Sequence, residues 1–228
     1  MRSLIMKILA IDTSSSAAGV ALFKENRLMG EFVVNTAQTH SQKLMPIVDS
    51  LLNQTQTAMN EIDTYYVCEG PGSFTGVRIG IAAVKGFAQP FGKKVFGYSS
   101  MFLLACNFRY EPGYIFTAID AKRGDVYYGV YTWQDDRLII LEEGIEALSK
   151  LLPLIAEKYK DKPVILAGDV IAIYPDAVKE WPGRLCRPED VVQRVGNLHV
   201  ASIVQSDAGS VYEIKANYMR KSQAERDK

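Results

Sequence analysis

Cysteine and histidine are scarce in this chain, and their scarcity excludes much of the chemistry that 228 residues can carry. Three cysteines, Cys68, Cys106 and Cys186, are odd in number and far apart. No Cys-x-x-Cys spacing occurs, so neither a disulfide framework nor a zinc site is suggested, and a reducing, cytoplasmic setting is expected. The two histidines, His40 and His199, form no His-x-x-x-His or His-Glu-x-x-His pair, which excludes a histidine metal site on one helix. No Ser-His-Asp or Cys-His arrangement can be argued from them; His199 reads as structural and His40 as a cap or surface group. No catalytic residue and no metal ligand is assigned.

Excess charge is missing too. Lys+Arg and Asp+Glu number 26 each, so the chain lacks the basic surplus from which non-specific nucleic-acid binding draws its affinity. The tail from Lys215 to Lys228 holds five basic residues against Glu225 and Asp227, and reads as a solvated terminus. No apolar run approaches the roughly 20 residues of a membrane span. The start, Met1-Arg2-Ser3-Leu4-Ile5, is too short for a secretory signal, and Met6 offers an alternative start. What remains is ordinary for a soluble globular protein: 48% hydrophobic and 23% charged residues, enough chain for one large domain or two small ones.

The most informative stretch present is Gly70-Pro71-Gly72-Ser73-Phe74-Thr75-Gly76. It follows a strand-like run, Tyr65–Glu69, and opens into Val77–Ala88, which reads as a helix. A glycine-rich turn here needs a physical reason, because each glycine costs about 0.5–1 kcal/mol against alanine in a regular element. Either free N–H groups at the helix start hold an anion, or the backbone passes very close to something else. The loop lacks the Lys-Ser/Thr of a phosphate loop, since Val77-Arg78 follows Gly76, and it is not Gly-x-Gly-x-x-Gly.

The order of elements repeats. Strands at Ile8–Ile11, Gly19–Phe23 and Leu28–Val34 predict an antiparallel meander. A helix over Thr39–Gln56 follows, with Leu44, Ile47, Val48, Leu51 and Leu52 on one face. Pro46 predicts a kink in it, or a start near Lys43. Strand Tyr65–Glu69, helix Val77–Ala88 and strand Lys94–Tyr98 complete a βββαβαβ order. The second half reads as strands Tyr114–Ile119, Val126–Trp133 and Arg137–Leu141, then a helix over Ile145–Tyr159 and strand Pro163–Ala167. A helical stretch at Ile171–Glu180, a weak strand at Arg184–Arg187 and a last helix over Pro188–Gln205 end it. Ala10-Ile11-Asp12 and Ala118-Ile119-Asp120 close the first strands of the two halves alike. The fold class expected is α/β, two tandem ribonuclease-H-like lobes of the actin–hexokinase ATPase architecture. The lobes are expected at residues 1–104 and 105–228, the final helix and tail folding back on the first.

In that architecture an Asp at the end of the first strand and its hairpin turn address phosphate and metal. Asp12, Thr13 and Ser14 are therefore a candidate phosphate site; the alternative is that they cap a tight turn. The helix Val77–Ala88 carries only Arg78 and Lys85 as charges, and a helix apolar on all sides is buried on all sides. Gly76 with Gly80, and Ala82 with Gly86, are small pairs that admit a close neighbour. Either the rest of the lobe covers this helix or a second protein does, and a lobe of about 100 residues has little material to spare.

Ala10–Ser14, Thr39-His40-Ser41-Gln42-Lys43-Leu44-Met45-Pro46, Gly70–Gly76 with Val77-Arg78-Ile79-Gly80, Ile119–Tyr127 and Asn217–Glu225 together resemble the TsaB (YeaZ) family across essentially the whole chain. Ala216 and Met219 depart from that family's usual proline and leucine before and within its terminal Tyr-Leu-Arg pattern. The resemblance implies a non-catalytic scaffold subunit in forming threonylcarbamoyladenosine on tRNA, next to the anticodon. Its partner would be a TsaD-like transferase, with a TsaE-like ATPase joining through the complex and tRNA met indirectly. The contact implied uses the first-lobe helices: Gly72, Ser73, Phe74, Thr75, Gly76, Arg78, Gly80, Ala83 and Phe87 around the second, Leu44 and Val48 on the first. A homodimer through the same surface is a further expectation. No cofactor is required, weak ATP or ADP binding at Asp12–Ser14 being left open. The rival reading is a stand-alone ATPase or small-molecule kinase using Asp12. A peptidase finds no nucleophile here.

Overall fold

A strand that is apolar on both faces belongs in the middle of a sheet, and Ile8–Ile11 lies there. It forms β1 (Lys7–Asp12), buried at every position after Lys7. The computed structural model describes residues 6–25, 27–109, 111–186, 194–198 and 214–217. They fall into two units. The first comprises residues 6–100 with 194–198 and 214–217, and the second residues 101–186.

In the first unit β2 (Ala18–Lys24) and β3 (Arg27–Val34) continue from β1 as an antiparallel meander. Helix α1 (His40–Gln54) leads to β4 (Thr64–Gly70), α2 (Phe74–Ala88) leads to β5 (Lys94–Ser99), and β4 and β5 run parallel to β1. The sheet order is β3-β2-β1-β4-β5. Helix α1 starts ahead of Lys43 and runs through Pro46 as one element. Proline inside a helix costs about 3 kcal/mol. Here Leu44, Ile47, Val48, Leu51 and Leu52 all bury against the sheet, and burial of that kind brings about 1.5–3 kcal/mol per side chain. Residues 194–198 return to this unit. Glu31 accepts hydrogen bonds from the Arg194 guanidinium (3.0 Å) and from Gly196 N–H (2.8 Å), and Val195 is fully buried.

Between β5 and the second unit's first strand, in chain order, comes α3 (Ser100–Ala105), where the sequence predicts the lobe boundary. Met101, Phe102, Leu103 and Ala105 are all but fully buried. A short helix apolar all round shows no amphipathic period, so its pattern cannot be told from a loop or strand.

The second unit repeats the topology. β6 (Tyr114–Asp120), β7 (Asp125–Gln134) and β8 (Arg137–Ala147) form the antiparallel meander. Helix α4 (Leu148–Lys158) precedes β9 (Val164–Ala167). Two single-turn helices, α5 (Val170–Ile173) and α6 (Pro175–Val178), precede β10 (Arg184–Cys186). The order β10-β9-β6-β7-β8 matches the first sheet strand for strand, with β9 parallel to β6. Both units are thus ribonuclease-H-like α/β layers. Two predicted bounds move. Residues 145–147 are strand, not helix, because β8 stays paired to β7 as far as Ala147 opposite Asp125. The single helix expected over Ile171–Glu180 is divided at Tyr174, the residue before Pro175, a position that proline biases away from helical geometry. The last predicted helix, Pro188–Gln205, falls mostly outside the described residues; within them Val195–Asn197 is a single 3-10 turn.

Candidate functional site

Asp12 ends β1, and the next five residues loop back to β2 directly beneath the glycine-rich segment. Thr13 is 1% exposed and Asp12 and Ser14 are 4% exposed. The Asp12 carboxylate accepts the Ser14 N–H at 2.8 Å. Burial raises this carboxyl above its ordinary value, opposed by hydrogen bonds from Ser14 and Cys68 and by the charge of His40. Burial, then the neighbouring Asp12, pushes the Cys68 thiol well up, and the same two causes act on the Tyr98 phenol, whose hydroxyl donates to Ile11 O at 2.8 Å. Every acid in this cluster is driven toward its neutral form. Among the described residues no group of three or more His, Cys, Asp and Glu side chains is placed to hold a metal ion.

The glycines explain why the loop is closed. A Cβ on Gly72 would stand 2.3 Å from Ser14 O, one on Gly76 2.0 Å from Thr13 O, and one on Gly80 2.5 Å from Thr13 Oγ1. These distances are far inside van der Waals contact, so only glycine lets α2 start against the β1–β2 loop. The N–H groups available to an anion are partly used as well. Ser73 N–H donates to Ser14 O at 2.7 Å, Gly76 N–H to the Ser73 hydroxyl at 3.2 Å and Val77 N–H to Ser73 O at 2.9 Å. The Thr13 hydroxyl donates to Gly76 O at 2.7 Å.

The outward side of this unit is different. On α2, Phe74, Thr75, Arg78, Ala82 and Gly86 are exposed, with Ile79, Ala83 and Phe87 half-buried beside them. The Arg78 guanidinium lies 3.8 Å from the centre of the Phe74 ring, and Phe74 is 46% exposed. On the neighbouring α1, Met45 is 49% exposed, with Ser41, Gln42, Pro46 and Asp49 also at the surface. A Cβ on Gly86 would meet nothing within 4 Å. The helix expected to be buried on all sides is therefore buried on one face among the described residues.

Several predicted contact residues need correction. Leu44 and Val48 are 1% exposed core residues of α1, and Gly76 and Gly80 face Thr13, so none of the four presents a surface. Of the two small pairs, Gly76 with Gly80 admits the β1–β2 loop, while Ala82 with Gly86 faces outward. Gly72, Ser73, Phe74, Thr75 and Arg78 are exposed, and Ala83 and Phe87 are half-buried against the core. Two residues of the site escaped the sequence reading. The His40 Nε2 lies 2.7 Å from Ser15 O, and the Lys43 ammonium donates to Ser16 O at 2.9 Å. The available signal was their spacing: three apart, in the first turn of a helix that follows a polar loop.

In the second unit Asp120 ends β6 as Asp12 ends β1, but its surroundings differ. It accepts from the Lys122 backbone (2.8 Å), the Lys122 ammonium (2.6 Å) and the Tyr174 hydroxyl (2.8 Å). Burial pushes this carboxyl up, and these hydrogen bonds together bring it below its ordinary value.

Known proteins resemble this chain in sequence and in fold. Residues 33–225 match the family model described as TsaD: tRNA N6-adenosine threonylcarbamoyltransferase. The tRNA threonylcarbamoyladenosine biosynthesis protein TsaB of Bacillus subtilis (strain 168) is 34% identical over 186 residues, 78% of this chain and 77% of that protein. The protein of the same name from Escherichia coli (strain K12) is 35% identical over 183 residues, 77% of this chain and 76% of its own. Among solved structures, YeaZ from Pseudomonas aeruginosa superposes with a TM-score of 0.81 at 26% identity, covering 94% of this chain and 100% of that one.

Proposed function

Because the chain belongs to the TsaB (YeaZ) family of tRNA threonylcarbamoyladenosine biosynthesis proteins, we propose that it serves that pathway as a non-catalytic subunit, by docking onto a TsaD-type transferase. The observation that carries this reading is the outward face of α1 and α2, where Phe74, Arg78, Ala82, Gly86 and Met45 are exposed. Aromatic, methionine and arginine side chains of this kind are enriched at protein interfaces. A stable contact buries about 1,600 Å² in total, and an aromatic ring already stacked under a guanidinium gives it a preorganised centre. The same face serves a homodimer when the partner is absent. A TsaE-type ATPase and tRNA are reached through the complex, in the cytoplasm, and no cofactor is required of this chain.

The deciding experiment is co-purification of the full chain with its TsaD-type partner, wild type against Ala82→Glu. Ala82 is exposed, so the variant folds, and burying its unpaired carboxylate in the contact would cost several kcal/mol. Complex formation by wild type and its loss in the variant is the expected result. Undiminished binding by folded Ala82→Glu protein would remove this face from consideration. Unchanged threonylcarbamoyladenosine in tRNA after depletion of the protein would sink the role itself. Nucleotide turnover by the isolated chain, abolished by Asp12→Ala, would instead favour a stand-alone ATPase or kinase.

A further inference from the structure

The β1–β2 loop is tied down one residue at a time. Thr13 Oγ1 donates to Gly76 O, Ser14 O accepts from Ser73 N–H, Ser15 O pairs with His40 Nε2, and Ser16 O accepts from Lys43 Nζ, at 2.7, 2.7, 2.7 and 2.9 Å. The first two partners belong to the start of α2, the last two to the first turn of α1. The loop is therefore the piece through which the two helix starts are joined. His40 closes the circuit from the other side, since its Cδ2 and Nε2 lie 3.1 Å from where a Gly76 Cβ would stand.

Lys43 is the unexpected member. It is 2% exposed, and the hydrogen bonds of its ammonium go to two backbone carbonyls, Ser16 O and Thr36 O (3.3 Å). Desolvating an ammonium is expensive unless its protons find partners, and a methionine of similar length would fill the same space without that penalty. Its protons join the β1–β2 loop to the segment that leads from β3 into α1, two stretches that no strand pairing connects.

We propose that His40 and Lys43 are positioning residues of the docking face: through the Thr13–Ser16 loop they set the axial register of α1 against the start of α2. That register fixes the placement of Met45 relative to the Phe74–Arg78 stack, the arrangement a TsaD-type partner meets. The loop that addresses phosphate in ATPases of this architecture acts here as a clasp. This inference rests on docking through α1 and α2, as proposed above.

The test measures the equilibrium affinity of the full chain for the TsaD-type subunit, with the folded fraction checked by circular dichroism. Lys43→Met is expected to weaken binding at least tenfold while staying folded, and to speed hydrogen exchange at the Ser73 amide, whose acceptor Ser14 O lies in the loosened loop. Lys43→Arg still donates to two carbonyls and is expected to recover most of the affinity. Should Lys43→Met fail to fold, His40→Ala carries the same two measurements, with a smaller loss of affinity expected. Wild-type affinity in folded Lys43→Met or His40→Ala protein, while Ala82→Glu loses binding, overturns the clasp and leaves the docking face standing. Loss of binding that Lys43→Arg does not restore overturns the clasp as well. Wild-type affinity in Ala82→Glu removes the docking face, and the positioning role with it.

Discussion

Alanine in place of glycine should act with opposite signs at two positions of α2. At Gly86 the new methyl meets nothing within 4 Å, so only the backbone effect remains, a gain of about 0.5–1 kcal/mol. At Gly76 the same gain is overridden. The methyl would stand 2.0 Å from Thr13 O, whose residue is 1% exposed and held between β1 and β2. Relief requires a shift of more than about 1 Å, and overpacking of this sort costs about 1–3 kcal/mol. Such a shift also strains the Thr13-to-Gly76 and Ser73-to-Ser14 hydrogen bonds, each contributing about 0.5–1.5 kcal/mol. The net expectation for Gly76→Ala is a loss of about 2–4 kcal/mol. At about 2–4 °C per kcal/mol for a chain of this size, the melting temperature should fall by about 5–15 °C. Gly86→Ala should raise it by a few degrees. Paired thermal and urea unfolding of the two variants reads both signs. Equal stability of the two variants would refute the argument that close approach, and not turn geometry or ligand binding, dictates the glycine at position 76.

Two further predictions concern charge and backbone. The Asp12 carboxyl has a raised pKa in the folded state, so folding favours its protonated form, and that contribution is complete below the unfolded value of about 3.9. It is lost as pH rises from there through the folded value and then levels off; Asp12→Asn should match wild type at low pH and be the more stable protein at neutral pH, measured by urea unfolding across the series. Arg123 holds a left-handed backbone, φ 62°, in the turn between β6 and β7, so Arg123→Gly should stabilise the chain by up to about 1 kcal/mol, read as a small rise in melting temperature; a fall would show that the side chain contributes contacts of its own.

The element order and the duplicated topology were legible because they rest on period and punctuation: the apolar Ile8–Ile11, the spaced Leu44–Leu52 face, the Asp ending each first strand. The direction in which small residues face was not. Gly76, Gly80, Ala82 and Gly86 look alike in sequence, yet the first two lie under a loop more than sixty residues earlier and the last two face outward. Nothing local distinguishes them, because the distinction is made by a tertiary neighbour. Lys43 was missed for a similar reason. A lysine in the first turn of an amphipathic helix normally points to water, and only the carbonyls of Ser16 and Thr36, brought over it by the sheet, make its burial tolerable. The Asp12–Ser14 turn stands where the element order puts it, at the end of β1. Its closure was invisible, since it depends on how near α2 approaches.

The return of residues 194–198 to the first sheet bears on how the protein is made. Gly19 has no side chain to fill the space beside it, and the Val195 methyl occupies that space, 2.4 Å from where a Gly19 Cβ would stand. Glu31 likewise waits for Arg194 and Gly196. A growing chain therefore leaves the ribosome with its first sheet short of a plug until the whole second unit has been synthesised. During that interval β2 and the edge strand β3 stand without their final cover, and a chain halted before residue 194 never acquires it. The unit whose synthesis begins first is thus completed only after the second has been made.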